Sequence, residues 1–189
     1  YQHDMRHHLT MLEGLIAAGK PEQASQYIRK VQSDIETITP RRYCENELVD
    51  LLCSSFAEKA QHAGARLDVD AKLPRELGIS DAELCAVLSN ALENALHAVA
   101  ELPEEQRTVS LYCALRLGKL LIEVKNPYAG ELTISPDGRP VTARKGHGYG
   151  CRSIQTIAAR TGGLCEFKAQ NGIFCLQIVL PLKNAVAPV

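Results

Sequence analysis

Several patterns that would place this chain in a common functional class are missing from its sequence. The seven cysteines form no CxxC or CxxH pair, so neither a zinc site nor a dithiol motif is indicated. Lysine and arginine (21) nearly balance aspartate and glutamate (22), which argues against nucleic acid or an acidic membrane surface as partner. No segment approaches the about 20 apolar residues of a membrane-spanning helix. We therefore expect a soluble domain, with an ordinary hydrophobic content of 46%.

Two common nucleotide-binding motifs are missing as well. The sequence contains no GxxxxGK[ST] loop and no GxGxxG following a predicted strand. An odd number of cysteines fits a reducing compartment better than a disulfide framework, so we expect a cytoplasmic location. The chain begins at Tyr1 without a methionine or a signal peptide, and we expect it to be part of a longer protein.

The first 40 residues predict a helical hairpin. An apolar stripe on one helical face is formed by Met5, Leu9, Leu12 and Ile16. The segment Gly19-Lys20-Pro21 ends that helix and begins a second amphipathic helix, which ends before Pro40. Two short helices cannot bury both stripes alone. The hairpin therefore either pairs with a second copy in a dimeric four-helix bundle or folds back onto the downstream domain.

The remaining chain, 41–184, predicts helices interleaved with a largely antiparallel sheet, an α+β sandwich. Ser80 and Glu83 form a capping-box signature that begins a long helix reaching about Ala100. The other expected helices cover 46–63 and about 151–161. The expected strands cover 65–71, 109–115, 120–126 and two final segments around Asn171-Gly172.

Three clusters carry residues suited to chemistry, and the first is HDMRHH near the start. His3 and His7 fall on the helical face opposite the apolar stripe, so both face solvent. An exposed neutral imidazole is a competent nucleophile, and Asp4 would fix its tautomer or accept its proton. The alternatives are a plain polar helix face and a metal pair formed by the two histidines.

The second cluster is an amide stripe inside the long helix. Asn90, Asn94 and His97 share one face and Glu93 flanks them, on a helix otherwise made of Ala, Leu and Val. Asparagine is a poor helix former, so two of them four residues apart suggest a role. Amide oxygens on one face would help to hold a Mg²⁺ ion that bridges phosphates. An ordinary solvent-facing stripe is the alternative.

The third cluster is GHGYGCRSI at 146–154. Gly146, Gly148 and Gly150 alternate and run directly into a predicted helix. Glycines let backbone N–H groups approach an oxyanion, and the helix adds its positive end. This is the chemistry of a phosphate cradle, with a flexible turn as the alternative.

Taken in order, HDMRHHL, NALENALHA and GHGYGCRSI resemble the phosphoacceptor box, the N box and the second glycine box of sensor histidine kinases. These kinases belong to two-component systems and carry a GHKL-type ATP-binding domain. The acceptor box on a short hairpin is most similar to the branch that contains peptide-pheromone receptors. The resemblance covers roughly residues 3–182. It implies a hairpin for dimerisation and phosphotransfer (1–40) and a GHKL-type catalytic domain (41–184).

The resemblance also implies roles for individual residues. His3 would be phosphorylated with Asp4 as neighbouring base, and Asn94, assisted by Asn90, would hold Mg²⁺. Glu93 would lie beside the metal site. The three glycines would line the ATP triphosphate beneath a lid at about 129–145. The cations that would supply charge to the phosphates are Lys125, Arg144, Lys145 and Arg152.

The implied partners are a second copy of the chain and the receiver domain of a response regulator, whose aspartate would take the phosphoryl group. No nucleic acid is expected. The parent protein is expected to be anchored in a membrane upstream of this segment.

The sequence departs from the family pattern at two places. The first glycine box, DxGxG, is replaced by KNPYAG, with Asn126 where an aspartate would read adenine. An amide both donates and accepts, so Asn126 remains able to read the adenine edge. Position 2 is Gln where that branch commonly has Arg. Two rival functions remain: a degenerate phosphotransfer module that no longer binds ATP, and a GHKL ATPase that drives conformational change.

Overall fold

The computed structural model describes residues 2–38, 42–136, 138, 140–141 and 149–182. Side chains are described for these residues except 2–8, 30–38 and 149. The chain divides into two compact units, Tyr1–Arg41 and Arg42–Val189.

The first unit is a helical hairpin of α1 (Gln2–Ala17) and α2 (Pro21–Ile38). Gly19 ends α1 in the left-handed conformation, with φ of 69°, and its N–H donates to the Ile16 carbonyl. Of the predicted apolar stripe, Leu9 is 54% and Ile16 65% exposed. Pairing with a second copy stays a prediction.

The second unit contains three α-helices, a single-turn 3₁₀ helix (Glu104–Gln106) and seven strands among the described residues; only the α-helices and strands are numbered. In chain order they are α3 (Glu47–His62), β1 (Arg66–Lys72), α4 (Asp81–Val99), β2 (Thr108–Arg116), β3 (Lys119–Pro127), β4 (Thr133–Ile134), β5 (Pro140–Val141), α5 (Tyr149–Arg160), β6 (Leu164–Gln170) and β7 (Ile173–Pro181). Five strands form one sheet in the order β1-β2-β3-β7-β6, in which β1 and β2 are parallel and the other neighbours antiparallel. The predicted α+β class is confirmed.

The core lies between this sheet and the three helices. Alternate residues of the central strands point towards the helices, so Ile122 of β3 pairs with Ile178 of β7 and both are buried. Leu88 and Leu92 of α4 and Ile154 of α5 are completely buried. Each such side chain contributes about 1.5–3 kcal/mol through removal of apolar surface from water. This packing fixes α4 and α5 side by side over the sheet.

Both hairpin turns follow the local signals in the sequence. Leu117 and Gly118, between β2 and β3, have φ values of 49° and 71°. Asn171 and Gly172, between β6 and β7, have φ values of 53° and 75°. Two successive positive φ values are typical of the type I′ turn, whose twist matches that of the flanking strands. The predicted hairpins are confirmed.

Three details differ from the sequence-based expectation. Ser80 occupies the N-cap position of α4, but its side chain makes no capping hydrogen bond, and Glu83 accepts a hydrogen bond from Arg160 of α5 instead. Within the expected lid, β4 and β5 form a two-stranded ribbon. Helix α5 begins at Tyr149, earlier than predicted, which places Gly150 inside the helix.

The cysteines behave as expected from their spacing. All seven are free thiols, and Cys44, Cys53, Cys113 and Cys151 are buried. None of the helices described in the structure has the length and apolarity needed to cross a membrane.

Candidate functional site

The candidate site is built where the first turn of α5 meets the middle of α4. Asn90 and Asn94 lie one helical turn apart on α4 and are half-buried, whereas Ala91 and Ala95 on the adjoining face are buried in the core. The amide stripe is therefore placed at the edge of the helix packing. Glu93 and His97 lie at exposed positions of the same helix.

Gly150 brings α5 into close approach with both amides. A Cβ atom at Gly150 would lie 2.7 Å from Asn94 Nδ2, 3.1 Å from Asn94 Oδ1 and 3.2 Å from Asn90 Oδ1. Real Cβ atoms hardly ever approach other heavy atoms to less than 3.0 Å. Only glycine allows both amides to occupy their positions, so the third glycine of the GHGYG cluster and the amide stripe form one site.

Hydrogen bonds set the direction in which each amide points. Asn90 Nδ2 donates to the backbone carbonyl of Ala86 at 2.7 Å, and Asn94 Nδ2 donates to Cys151 Sγ at 3.7 Å. A carbonyl oxygen only accepts, so the atom of Asn90 nearest to it must be nitrogen. Both asparagines thus direct their nitrogens at partners within the protein, and Oδ1 is the other end of each amide.

The donor set fits a cation that arrives with a phosphate group. Amide oxygens are hard ligands of the type preferred by Mg²⁺, which keeps several waters and is completed by phosphate oxygens. Within the described residues no three His, Cys, Asp or Glu side chains come together as a metal site. Two neutral amides supply no charge of their own, so a cation held by them would depend on negative charge from a bound phosphate group.

Asn126 is the second-last residue of the central strand β3, on the face of the sheet that the helices cover. Its side chain is 2% exposed and its Nδ2 donates to the carbonyl of Pro127 at 2.8 Å. Because that carbonyl only accepts, Oδ1 is the end of the amide directed elsewhere. An amide oxygen is an acceptor of the kind that can read the donor group of a base.

Glu93 precedes Asn94 and contacts α3. Its Oε1 lies 3.9 Å from Lys59 Nζ, and both side chains are 56% exposed. Lys59 Nζ also lies 4.6 Å from the ring centroid of Phe56. An exposed pair at this distance is worth little to stability, so Glu93 is free to change partners when a ligand binds.

Several predicted site residues fall outside this description. Lys145, Gly146 and Gly148 lie in the segment 142–148, outside the described residues. His3 and Asp4 belong to α1, but their side chains are outside the described set. Their roles stay predictions.

Sequence reasoning missed Cys151 as a site residue. The spacing of the cysteines suggested that Cys151 is a small core residue, and its 9% exposure agrees with that. Burial raises the pKa of its thiol to about 11. Its contact with Asn94 joins residues 57 positions apart in the sequence. The one local signal was its place directly after the third glycine of the cradle.

Comparisons with known proteins agree with this geometry. Residues 79–181 match the family described as the GHKL domain. A search of curated proteins gave no match. Many solved structures share the fold.

Three of these structures illustrate the likeness. The catalytic domain of the histidine kinase ThkA, in a nucleotide-free form, has a TM-score of 0.56 at 16% identity, covering 72% of this chain and 92% of that one. Full-length ShkA in complex with AMPPNP has a TM-score of 0.56 at 21% identity, covering 75% of this chain and 31% of ShkA. The histidine kinase domain of a blue-light-activated kinase from Erythrobacter litoralis has a TM-score of 0.50 at 20% identity, covering 69% and 57%.

At these identities the likeness establishes the fold. The family match spans more than half of the chain and contains the amide stripe, Asn126 and Gly150. The chain belongs to the GHKL domain family, and its second unit has the fold of histidine kinase catalytic domains.

Proposed function

We propose that this chain is the kinase portion of a sensor histidine kinase that binds Mg-ATP, phosphorylates itself on His3 and transfers the phosphoryl group to a response-regulator aspartate. The observation that carries the proposal is the close approach of Gly150 to Asn90 and Asn94. That approach joins the candidate phosphate cradle to the candidate metal ligands. The AMPPNP bound to ShkA, which shares the fold, supports a nucleotide in this role.

Each part of the chain has a stated task in this proposal. Residues 1–40 form the dimerisation and phosphotransfer hairpin, and 41–184 form the catalytic domain with its lid at about 129–145. Asn90 and Asn94 hold the metal through their Oδ1 atoms, and Asn126 reads the base. Lys145, Gly146, Gly148 and Gly150 surround the phosphates. When bound, Mg²⁺ supplies neutralisation of charge on the phosphate oxygens.

The chemical step is an in-line transfer to an imidazole. The neutral His3 attacks through Nε2, a nitrogen–phosphorus bond forms to the γ-phosphorus, and the bond to the β–γ bridging oxygen breaks to release ADP. Asp4 acts as the neighbouring base and takes up the Nδ1 proton of His3 as positive charge develops on the ring. Most of the acceleration comes from positioning and charge neutralisation. A change in the distance between the hairpin and the catalytic domain would regulate this step.

The test is incubation of the chain with γ-labelled Mg-ATP, followed by acid treatment of the labelled protein. We expect acid-labile label in the wild-type chain and none in His3→Ala or Asn94→Ala. The first variant lacks the acceptor, and the second lacks a ligand of the metal-bound nucleotide. His7→Ala is the matched control, because it removes a neighbouring histidine of α1 and should keep the label.

A GHKL ATPase is the second candidate, favoured by Glu93. This carboxylate directly precedes Asn94 and, among the residues that the structure describes, makes an exposed contact with Lys59. It is therefore available to activate a water molecule. Steady release of phosphate that persists in His3→Ala and disappears in Glu93→Gln would establish the ATPase and contradict the kinase. Bound nucleotide without any label would support neither activity.

Asn126 gives a separate prediction about base selectivity. Its Oδ1 is suited to accept a hydrogen bond from the 6-amino group of adenine, whereas guanine presents an acceptor at that position. We expect Asn126→Leu to weaken ATP binding about tenfold or more, because a hydrogen bond to a buried group is lost. Asn126→Asp, which keeps an acceptor oxygen, should retain the preference for ATP over GTP.

Titration of ATP and GTP against the three proteins measures this selectivity. Equal ATP affinity of the wild type and Asn126→Leu would show that the side chain does not read the base. A thermal denaturation curve of each variant separates a local effect from loss of the fold.

A further inference from the structure

The amide of Asn94 is held by two consecutive residues of α5. Gly150 passes close beside it, and Cys151 takes its Nδ2 in a hydrogen bond of 3.7 Å to Sγ. The thiol is 9% exposed, so water does not compete strongly for this contact. The first turn of α5 therefore both makes room for the amide and determines its direction.

Direction matters because the two ends of an asparagine amide have similar shape and opposite chemistry. Only the carbonyl oxygen can ligate a cation, whereas the NH₂ group repels it. Asn90 is oriented by a strong acceptor, the Ala86 carbonyl at 2.7 Å. For Asn94 the corresponding acceptor is the sulfur of Cys151. This acceptor belongs to a side chain and not to the helix backbone, so a substitution at position 151 can remove it.

The thiol is suited to this task because its sulfur accepts the N–H of Asn94 across 3.7 Å. A leucine or valine at this position would fill similar space and offer no acceptor.

We propose that Cys151 is a positioning residue, whose sulfur orients the Asn94 amide so that Oδ1 faces the metal-bound nucleotide. This inference rests on the proposed function of Asn94 as a metal ligand. It assigns to Cys151 neither contact with substrate nor a reactive thiol.

The test compares two nearly isosteric variants, Cys151→Val and Cys151→Thr, in the full chain. Titration with AMPPNP is carried out with Mg²⁺ and with a chelator, and the ratio of the two affinities is the readout. We expect Cys151→Val to lower the affinity measured with Mg²⁺ about fivefold, which is what loss of one modest hydrogen bond gives. Its affinity in the chelator should be unchanged. Cys151→Thr, whose hydroxyl accepts, should recover most of the loss.

A second readout follows the amide itself without any ligand. In nitrogen–proton spectra, the Nδ2 protons of Asn94 should move in Cys151→Val towards values of an amide without a protein acceptor. Asn94→Ala identifies the signal by removing it. Cys85→Val is the matched control, because this half-buried thiol of α4 lies nine residues before Asn94, about 13 Å along the helix. It should leave both readouts as in the wild type.

The outcomes separate this inference from the function on which it rests. If Mg²⁺ strengthens nucleotide binding in the wild type and equally in Cys151→Val, the role of Cys151 is wrong and the function stands. If Cys151→Val and Cys151→Thr lose affinity equally, the volume of the side chain matters and its ability to accept the N–H of Asn94 does not, so the proposed role is again wrong. If Mg²⁺ has no effect on nucleotide binding by the wild type, the proposed metal ligands are wrong, and the role of Cys151 is wrong with them. Should Val destabilise α5, Cys151→Ala removes the sulfur without a β-branch and should show the same loss.

Discussion

Gly150→Ala is expected to weaken Mg-nucleotide binding by about a hundredfold or more while the protein remains folded. The added Cβ would lie 2.7 Å from Asn94 Nδ2 and 3.2 Å from Asn90 Oδ1. These atoms are ends of side chains, which can rotate away, so the helices need not separate. The rotation removes both proposed metal ligands together, and loss of two charge-assisted contacts accounts for the size of the effect.

The free energy of unfolding of Gly150→Ala should change little or increase, whereas its nucleotide affinity falls. Alanine is favoured over glycine in a helix by up to about 1 kcal/mol, and Gly150 lies in the first turn of α5. The measurement is nucleotide titration together with thermal denaturation of the same preparation. Gly14→Ala is the control, because it adds a methyl group to a helix where nothing lies within 4 Å. A Gly150→Ala variant that binds nucleotide like the wild type would contradict the proposed site.

Gly163→Ala, in contrast, is expected to destabilise the fold, lowering the free energy of unfolding by about 3 kcal/mol or more. Gly163 connects α5 to β6, and its N–H donates to the Ala158 carbonyl at 2.8 Å. An added Cβ would overlap the Val179 carbonyl oxygen and lie 3.0 Å from Leu180 Cδ2. Val179 belongs to β7, which pairs with strands on both sides, so its backbone cannot yield without disturbing the sheet.

Thermal denaturation would show this loss as a fall in Tm of about 6–12 °C for a chain of this size. Gly172→Ala separates the clash from backbone strain. Gly172 has a φ of 75° and nothing within 4 Å of its added Cβ, so alanine there costs about 1–2 kcal/mol of conformational strain alone. If Gly163→Ala is no less stable than Gly172→Ala, the close packing of α5 against β7 is incorrect.

The same substitution is thus expected to have opposite consequences at the two ends of α5. At Gly150 the obstacle is a pair of side-chain amides, and at Gly163 it is a backbone carbonyl of the sheet. If both expectations hold, the first turn of α5 serves the proposed site, whereas the connection after it serves the fold. Neither difference is visible in the sequence, where both residues are glycines beside the same helix.

Much of the architecture was predictable because it rests on local signals. Alternating apolar residues predicted β2 and β3, and Asn171-Gly172 predicted the turn between the last two strands. The start of α4 was placed correctly from Ser80, yet the predicted capping box does not form, because Glu83 finds Arg160 on another helix. A signature between residues three apart carries no information about a partner that is distant in sequence.

By itself, the sequence determined the α+β class, the helical hairpin and the candidates Asn90, Asn94 and Gly150, since helix period and glycine spacing are properties of neighbouring residues. Only the tertiary structure decided that Gly150 lies against both amides and that Cys151 takes the nitrogen of Asn94. It also decided that Asn126 is buried with its nitrogen turned to Pro127. The physical reason is that the direction of an amide depends on which donors and acceptors surround it, and packing between distant segments supplies them.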